Sequence, residues 1–169
     1  MKMKEIMNSE QLSRTIKRMT HEIIERNPDL ENIVLVGILK KGVPIAQMIK
    51  DNLKCFANLD VLVYQVDIRP YRDDLPTKIK PEKQALISLD KNVILVDDVL
   101  YTGRSVRAAM DAINDHGRPK QIQLAILIDR GHRELPIRAD YIGKNIPTNR
   151  FERIVVDMEK QMVFIEENK

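Results

Sequence analysis

The sequence predicts an α/β protein: an open parallel sheet with helices on both faces. Three observations predict it. Short apolar runs at Ile33–Val36, Val93–Val96 and Ile122–Ile128 have the unbroken character of strands buried on both sides. Between them lie segments whose apolar residues recur at helical spacing, the alternation that builds a parallel sheet. A length of 169 residues suits one domain with a substantial core.

Each element has its own signal. Leu12, Ile16, Met19, Ile23 and Ile24 share one helical face. Asn27-Pro28 closes that helix, because proline disfavours the helical conformation in the residue before it. The strand at Ile33–Val36 runs into Gly37 and the polar Lys40-Lys41-Gly42, and Pro44 opens a helix carrying Ile45, Ala46, Ile49 and Leu53 inward. Val61–Ile68 is rich in β-branched residues and reads as a strand. From about 69 to 91 the periodicity fails, interrupted by Pro70, Pro76 and Pro81. A stretch that long without structure is uncommon in a compact domain unless it serves as a lid. Its opening, RPYRDDLP, carries two arginines and a tyrosine suited to gripping an anion. A strand at Val93–Val96, a helix at Ser105–His116 ending at Gly117, and a strand at Ile122–Ile128 follow. Arg153–Ile165 reads as a hairpin turning at Glu159-Lys160.

Composition narrows the class. With 43% hydrophobic and 31% charged residues, the chain is an ordinary globular protein and not a disordered one. The net charge of +3 tolerates an anionic ligand without demanding one. Cys55 is the sole cysteine, which excludes an internal disulfide or a thiolate zinc site and is expected to be a small buried hydrophobe. The N-terminal MKMKEIMNSEQ lacks a signal-peptide core, and no apolar run is long enough to span a bilayer. A reducing cytoplasm, away from membranes, is the expected compartment.

The chemistry concentrates in VILVDDVLYTGRSVRAAM, Val93–Met110. Ligands of open α/β sheets sit at the carboxyl ends of the strands, where Asp97 and Asp98 stand. Adjacent carboxylates there can accept hydrogen bonds from a ribose diol or hold a divalent cation, usually through water. Thr102-Gly103-Arg104-Ser105 then opens a helix, so free backbone amides and the positive end of the dipole form a cradle for one phosphate. A solvated turn and a simple cap would explain each half alone. Joined between Val93 and Ser105, the halves describe a site for a ribose 5-phosphate. No GxxxxGK[ST] loop occurs, which sets aside a Walker-type site.

The run VILVDDVLYTGRS resembles the phosphoribosyl-pyrophosphate motif of type I phosphoribosyltransferases. YRDDL, Gly117-Arg118-Pro119, DRGHRELPIRADYIGKNIP and RMTHEIIERN extend the resemblance over nearly the whole chain to the PyrR family of bifunctional pyrimidine-operon attenuators and uracil phosphoribosyltransferases. The resemblance implies a type I fold with a flexible lid and a small hood. It implies conversion of uracil and phosphoribosyl pyrophosphate to UMP and pyrophosphate with Mg2+, and a homo-oligomer. Carried over by position, Asp97 and Asp98 would bind the ribose hydroxyls and, through water or substrate, the metal. Thr102, Gly103, Arg104 and Ser105 would hold the 5-phosphate, Lys40, Lys41 and Gly42 the pyrophosphate, and Arg72 would reach the pyrophosphate from the lid. The base is expected near Asp129 and Arg130. Tyr101 stands where purine-type relatives commonly place an aspartate, which weighs against a purine base; a ring packed beneath the loop is the alternative.

The same resemblance implies that a basic face binds a hairpin of the pyrimidine-operon leader transcript, more tightly with UMP. The matching positions are Arg18, His21 and Arg26, with Lys17 beside them, and then Arg133, Arg138 and Lys144. Two departures stand out: Lys17 replaces a usual threonine, and Lys40-Lys41-Gly42 is closer to the purine-type enzymes. A uracil salvage enzyme without specific RNA regulation, and a purine-base transferase, therefore stay open as alternatives.

Overall fold

The computed structural model describes residues 2–74 and 91–167. Five parallel strands form the central sheet in the order β3-β2-β4-β5-β6. They are β2 (Ile33–Ile38), β3 (Val63–Val66), β4 (Asn92–Leu100), β5 (Gln121–Asp129) and β6 (Tyr141–Asn145). Helices α1 (Ser9–Arg26) and α2 (Gly42–Ala57) pack on one face and α3 (Arg104–His116) on the other. Every residue of β2 is buried, as its apolar run requires. The expected open parallel sheet covered on both sides is the fold observed.

A second, smaller sheet makes the hood. β1 (Lys2–Met7), β7 (Glu152–Asp157) and β8 (Met162–Glu167) pair antiparallel in the order β1-β8-β7. The hairpin expected at Arg153–Ile165 is β7–β8, but β1 has no counterpart in the sequence reading. Its residues from Lys2 to Glu5 are all exposed, so it carries no buried alternation and becomes a strand only through its pairing with β8. β6 was likewise unanticipated, being an edge strand interrupted by Gly143. β3 is four residues rather than the eight of Val61–Ile68. Cys55 is exposed on α2, correcting the expectation of a buried thiol: it falls outside the inward stripe of Ile45, Ala46, Ile49 and Leu53. Of the stretch expected as a lid, residues 75–90 lie outside the described residues.

Two local devices place the site. Asn8 caps α1 by accepting from the Gln11 amide at 2.8 Å, while the Gln11 side chain accepts from the Asn8 amide at 2.9 Å. At the other end of α1, buried Asn27 donates to the Tyr141 hydroxyl at 3.0 Å and Gln123 donates back to Asn27 at 3.1 Å. Tyr141 in turn donates to Gln123 at 2.7 Å. This closed polar ring pins α1 to β5 and β6, and each member is satisfied by the other two. Glycine supplies the second device. A Cβ at Gly42 would lie 2.3 Å from the Val96 carbonyl oxygen and one at Gly37 2.7 Å from Val43 Cα. The start of α2 therefore sits directly against the carboxyl end of β4. Gly42→Ala is expected to lower stability by at least about 2 kcal/mol through overpacking, read as a fall in Tm and in the urea midpoint.

Candidate functional site

β4 loses one neighbour before it ends. β2 pairs with it only as far as Val96, whereas β5 stays paired through Leu100. Asp97 and Asp98 lie beyond the last β2 contact, still within the strand. Asp97 is 8% exposed and accepts from the Asp98 amide at 2.8 Å, while Asp98 accepts from the Val99 amide at 2.8 Å. Burial raises the Asp97 pKa well above its usual range, and the charge of Asp98 and a side-chain hydrogen bond to it push the same way. The two acids therefore act at one place, although successive strand residues ordinarily point apart.

The cradle follows directly. Gly103 adopts φ +93°, a region that a Cβ makes costly, and turns the chain into α3. Gly103 has no side chain with which to cap the first turn, so amide donors stay open there. Thr102 Oγ1 accepts from the Arg104 amide at 3.3 Å. Arg72 donates from Nη1 to Ser105 Oγ at 2.8 Å and is braced by Asp74. The Arg104 guanidinium donates to Asp73 at 2.7 Å and to Glu134 at 2.8 Å. Tyr71 anchors the same segment by donating to Asp115 at 2.6 Å. Its pKa is pushed up to about 12, by burial first and then by that bond. The described start of the expected lid is thus fastened to α3 and to the cradle.

Lys40 and Lys41 are exposed, and the Leu39–Lys40 peptide is cis. Across a cleft of about 420 Å³ they face Val155–Glu159 of the hood, residues that the sequence reading did not single out for the site. On the β5 side the Arg130 guanidinium lies 4.0 Å from the centroid of the Tyr101 ring, a cation–π contact. Arg130 is buried and donates to the Thr148 hydroxyl and the Asn149 and Glu152 carbonyls. Tyr101 therefore packs on Arg130 with part of its ring open to solvent.

Among the described residues no group of three or more His, Cys, Asp or Glu side chains is placed to hold a metal. Two adjacent carboxylates nevertheless offer the hard oxygen donors that Mg2+ takes together with water and substrate oxygens. The donor set fits a magnesium shared with substrate, not a protein-only cage.

The residues expected at RNA are distributed over α1, β6 and the 133–138 segment. Arg18 donates to Glu22 at 2.6 Å and to the Ile142 carbonyl at 3.2 Å. Arg26 pairs with Asp140 at 3.1 Å and lies 5.7 Å over the Tyr141 ring. His21 stacks on Phe56 with centroids 4.5 Å apart, and Lys17 is exposed nearby on α1. Arg133 and Arg138 line a groove of about 780 Å³ that also touches Ile142, so the groove adjoins the Arg18 contact. Lys144 borders a smaller hollow with Arg14 and Thr15 of α1. Arg133 is committed inward: it pairs with Asp129 and donates to the Tyr101 and Ile137 carbonyls, both at 2.9 Å. Glu134, which holds Arg104, was not singled out from the sequence, and Asp129, expected only near the base, also holds Arg133. Their only sequence signal is the dense alternation of charge in DRGHRE.

Comparison with known proteins agrees with this arrangement. The phosphoribosyl transferase domain model matches residues 2–161. The bifunctional protein PyrR of Streptococcus agalactiae is 52% identical over 158 residues, covering 94% of this chain and 91% of that protein. Its counterpart in Streptococcus pneumoniae is 55% identical over 161 residues, with the same coverage. The chain belongs to the PyrR family. It is a phosphoribosyltransferase in fold and in family. A hypoxanthine-guanine phosphoribosyltransferase of Bacillus anthracis superposes with a TM-score of 0.70 at 24% identity, covering 86% of this chain and 85% of that one. A hypoxanthine phosphoribosyltransferase of Staphylococcus aureus gives 0.71 at 19%, covering 88% of this chain and 79% of that one. At that identity the likeness carries the fold alone. Among the described residues no helix is long and apolar enough to cross a membrane.

The state of Asp97 has a measurable consequence. A carboxyl whose folded pKa exceeds its unfolded value binds its proton more readily in the fold. Its stabilising contribution is therefore present at low pH and is lost as pH rises from the ordinary aspartate range through the raised folded value. Asp97→Asn is expected to raise the Tm of the ligand-free protein by roughly 2–4 °C, the shift that about 1 kcal/mol gives in a chain of this size. The gain should grow as pH rises and fade toward acid pH, which a thermal melt across pH would establish.

Proposed function

We propose that this PyrR-family chain is a UMP-responsive RNA-binding attenuator of pyrimidine biosynthesis genes that also converts uracil and phosphoribosyl pyrophosphate to UMP and pyrophosphate. The observation that carries the reading is the juxtaposition of the Asp97-Asp98 pair with the amide cradle at Thr102–Ser105, inside a chain 52% identical to a bifunctional PyrR over 94% of its length.

The residues take these roles. Asp97 and Asp98 accept hydrogen bonds from the ribose hydroxyls, and charged acceptors of this kind bind strongly. The open amides before α3 hold the 5-phosphate, with Thr102 and Ser105 adding hydroxyl donors and Gly103 permitting the turn. Arg72 stands at Ser105 and reaches the pyrophosphate when the lid closes. Lys40 and Lys41, with Gly42 allowing the loop to press against β4, hold the pyrophosphate from the other side. Tyr101 and Arg130 form a flat wall beside the base. As pyrophosphate leaves, positive charge develops on the ribose ring, and the preorganised carboxylates stabilise it without a covalent nucleophile. Asp97 and Asp98 would hold a magnesium ion together with water or substrate, and such an ion would supply positive charge to offset the negative charge of the leaving group. The reaction takes place in the cytoplasm.

The RNA half rests on the likeness to bifunctional PyrR proteins, whose match carries the RNA role to Lys17, Arg18, His21, Arg26, Arg133, Arg138 and Lys144. Cations there contact phosphates and make binding salt-dependent, while the hairpin loop is read by its unstacked bases. One observation favours a plainer salvage enzyme: Arg18, Arg26 and Arg133 already bond within the protein. The attenuator reading expects filter binding to favour a pyrimidine leader hairpin over unrelated RNA, with affinity rising when UMP is added. Salt-sensitive binding with no such preference would leave only the salvage enzyme. Asp98→Asn is expected to lower kcat/KM for uracil by about ten- to a hundredfold, the loss of one charged hydrogen-bond acceptor. Hypoxanthine should be inert in a base-competition assay; turnover of hypoxanthine would instead select the purine-base alternative.

A further inference from the structure

The phosphate cradle and the arginine-bearing segment beside it are one hydrogen-bonded unit. The amides of Glu134 and Leu135 both donate to the Thr102 carbonyl, at 2.9 and 3.1 Å. A Cβ placed on Gly103 would lie 3.3 Å from Ile137 Cδ1 and 3.4 Å from Leu135 Cβ, so the cradle glycine packs directly on this segment. Arg133 reaches back to the Tyr101 carbonyl. Arg104 meanwhile is shared between Asp73 at the start of the lid and Glu134. Asp73 is also paired with Arg107 at 3.9 Å, whereas Arg104 is the guanidinium that faces Glu134, so that pair stands at the edge of a site proposed to receive a phosphate dianion.

We infer that Glu134 is a positioning residue through which occupancy of the phosphate cradle sets the arrangement of residues 133–138, and with it the presentation of Arg133 and Arg138. This rests on the RNA-binding reading above for its consequence, though not for its geometry. The physical cause is competition. A phosphate entering the cradle draws on the positive charge of Arg104 and repels Glu134, so the Arg104–Glu134 pair weakens as ligand binds. The backbone bonds from Glu134 and Leu135 to Thr102 carry the displacement, because the segment cannot move without its anchor on the cradle. A ligand shifts an equilibrium only by its differential interaction with the two arrangements, and the Arg104–Glu134 pair supplies that difference here.

The test compares wild type, Glu134→Gln and Glu134→Ala by two readouts. The first is the ratio of hairpin affinities with and without UMP, measured at one salt concentration. Loss of a negative charge raises RNA affinity in both states alike, so the ratio isolates coupling. The second is amide hydrogen exchange of residues 133–138 with and without UMP, with UMP affinity and Tm measured alongside. The inference expects Tm close to wild type and UMP affinity higher than wild type, because a phosphate in the cradle no longer meets the Glu134 charge or competes with it for Arg104. It also expects the UMP-dependent gain to shrink about fivefold or more, the lower end of ordinary coupling between sites, and the UMP-dependent change in exchange to disappear, most completely in Glu134→Ala. An unchanged gain or an unchanged exchange response in Glu134→Ala overturns it. If wild type shows no hairpin preference, the attenuator reading falls, and the exchange measurement alone decides whether Glu134 couples the two regions.

Discussion

The structure turns on a carboxylate held where carboxylates are least comfortable. Asp97 is buried at the end of the central strand with Asp98 against it, and nothing in the packing of a parallel sheet asks for that. The core would be better served by an apolar residue, as at Val96 one position earlier. What the acid gains is a preset acceptor in a site of low dielectric, where a hydrogen bond is worth more than it would be in water. The neighbouring elements follow from this choice. β2 stops pairing at Val96, Gly42 lets α2 press close, and Gly103 turns the chain into α3 just beyond the acid pair.

The fold sets these groups with little freedom. The sheet is apolar on both faces, and its two core clusters are closed by α1 and α2 on one side and α3 on the other. The ring of Asn27, Gln123 and Tyr141 fastens the end of α1 to the β5–β6 edge. Because β6 and the 133–139 segment carry the outer basic residues, that fastening also determines where the basic face lies relative to the cradle. The segment that carries Arg133 and the loop at Tyr101 and Thr102 are joined directly by hydrogen bonds.

Much of this was legible in the residues. Ile33–Val36, Val93–Val96 and Ile122–Ile128 announce themselves because burial on both faces leaves no room for polar alternation. The Asp pair and the Thr-Gly-Arg-Ser turn are legible because the chemistry is local, lying within one strand-to-helix junction. β1 was not legible, since an exposed edge strand is made by its partner, here more than 150 residues away in register with Glu167. The internal commitments of Arg18 and Arg26 were hidden for the same reason: their partners at Ile142, Gly143 and Asp140 come from a distant part of the chain. Cys55 was misjudged because free cysteine is usually buried, and only the helical phase of α2 shows it turned outward.

The buried acid also bears on the lifetime of the protein. Whatever neutralises Asp97, whether a proton, a cation or a sugar hydroxyl, binds the folded chain and not the unfolded one, and so shifts the folding balance by mass action. A molecule starved of nucleotide is then at its most easily unraveled, and unfolded chains are the ones that proteases remove. A buried acid of this kind ties the survival of the folded chain to whatever occupies its site.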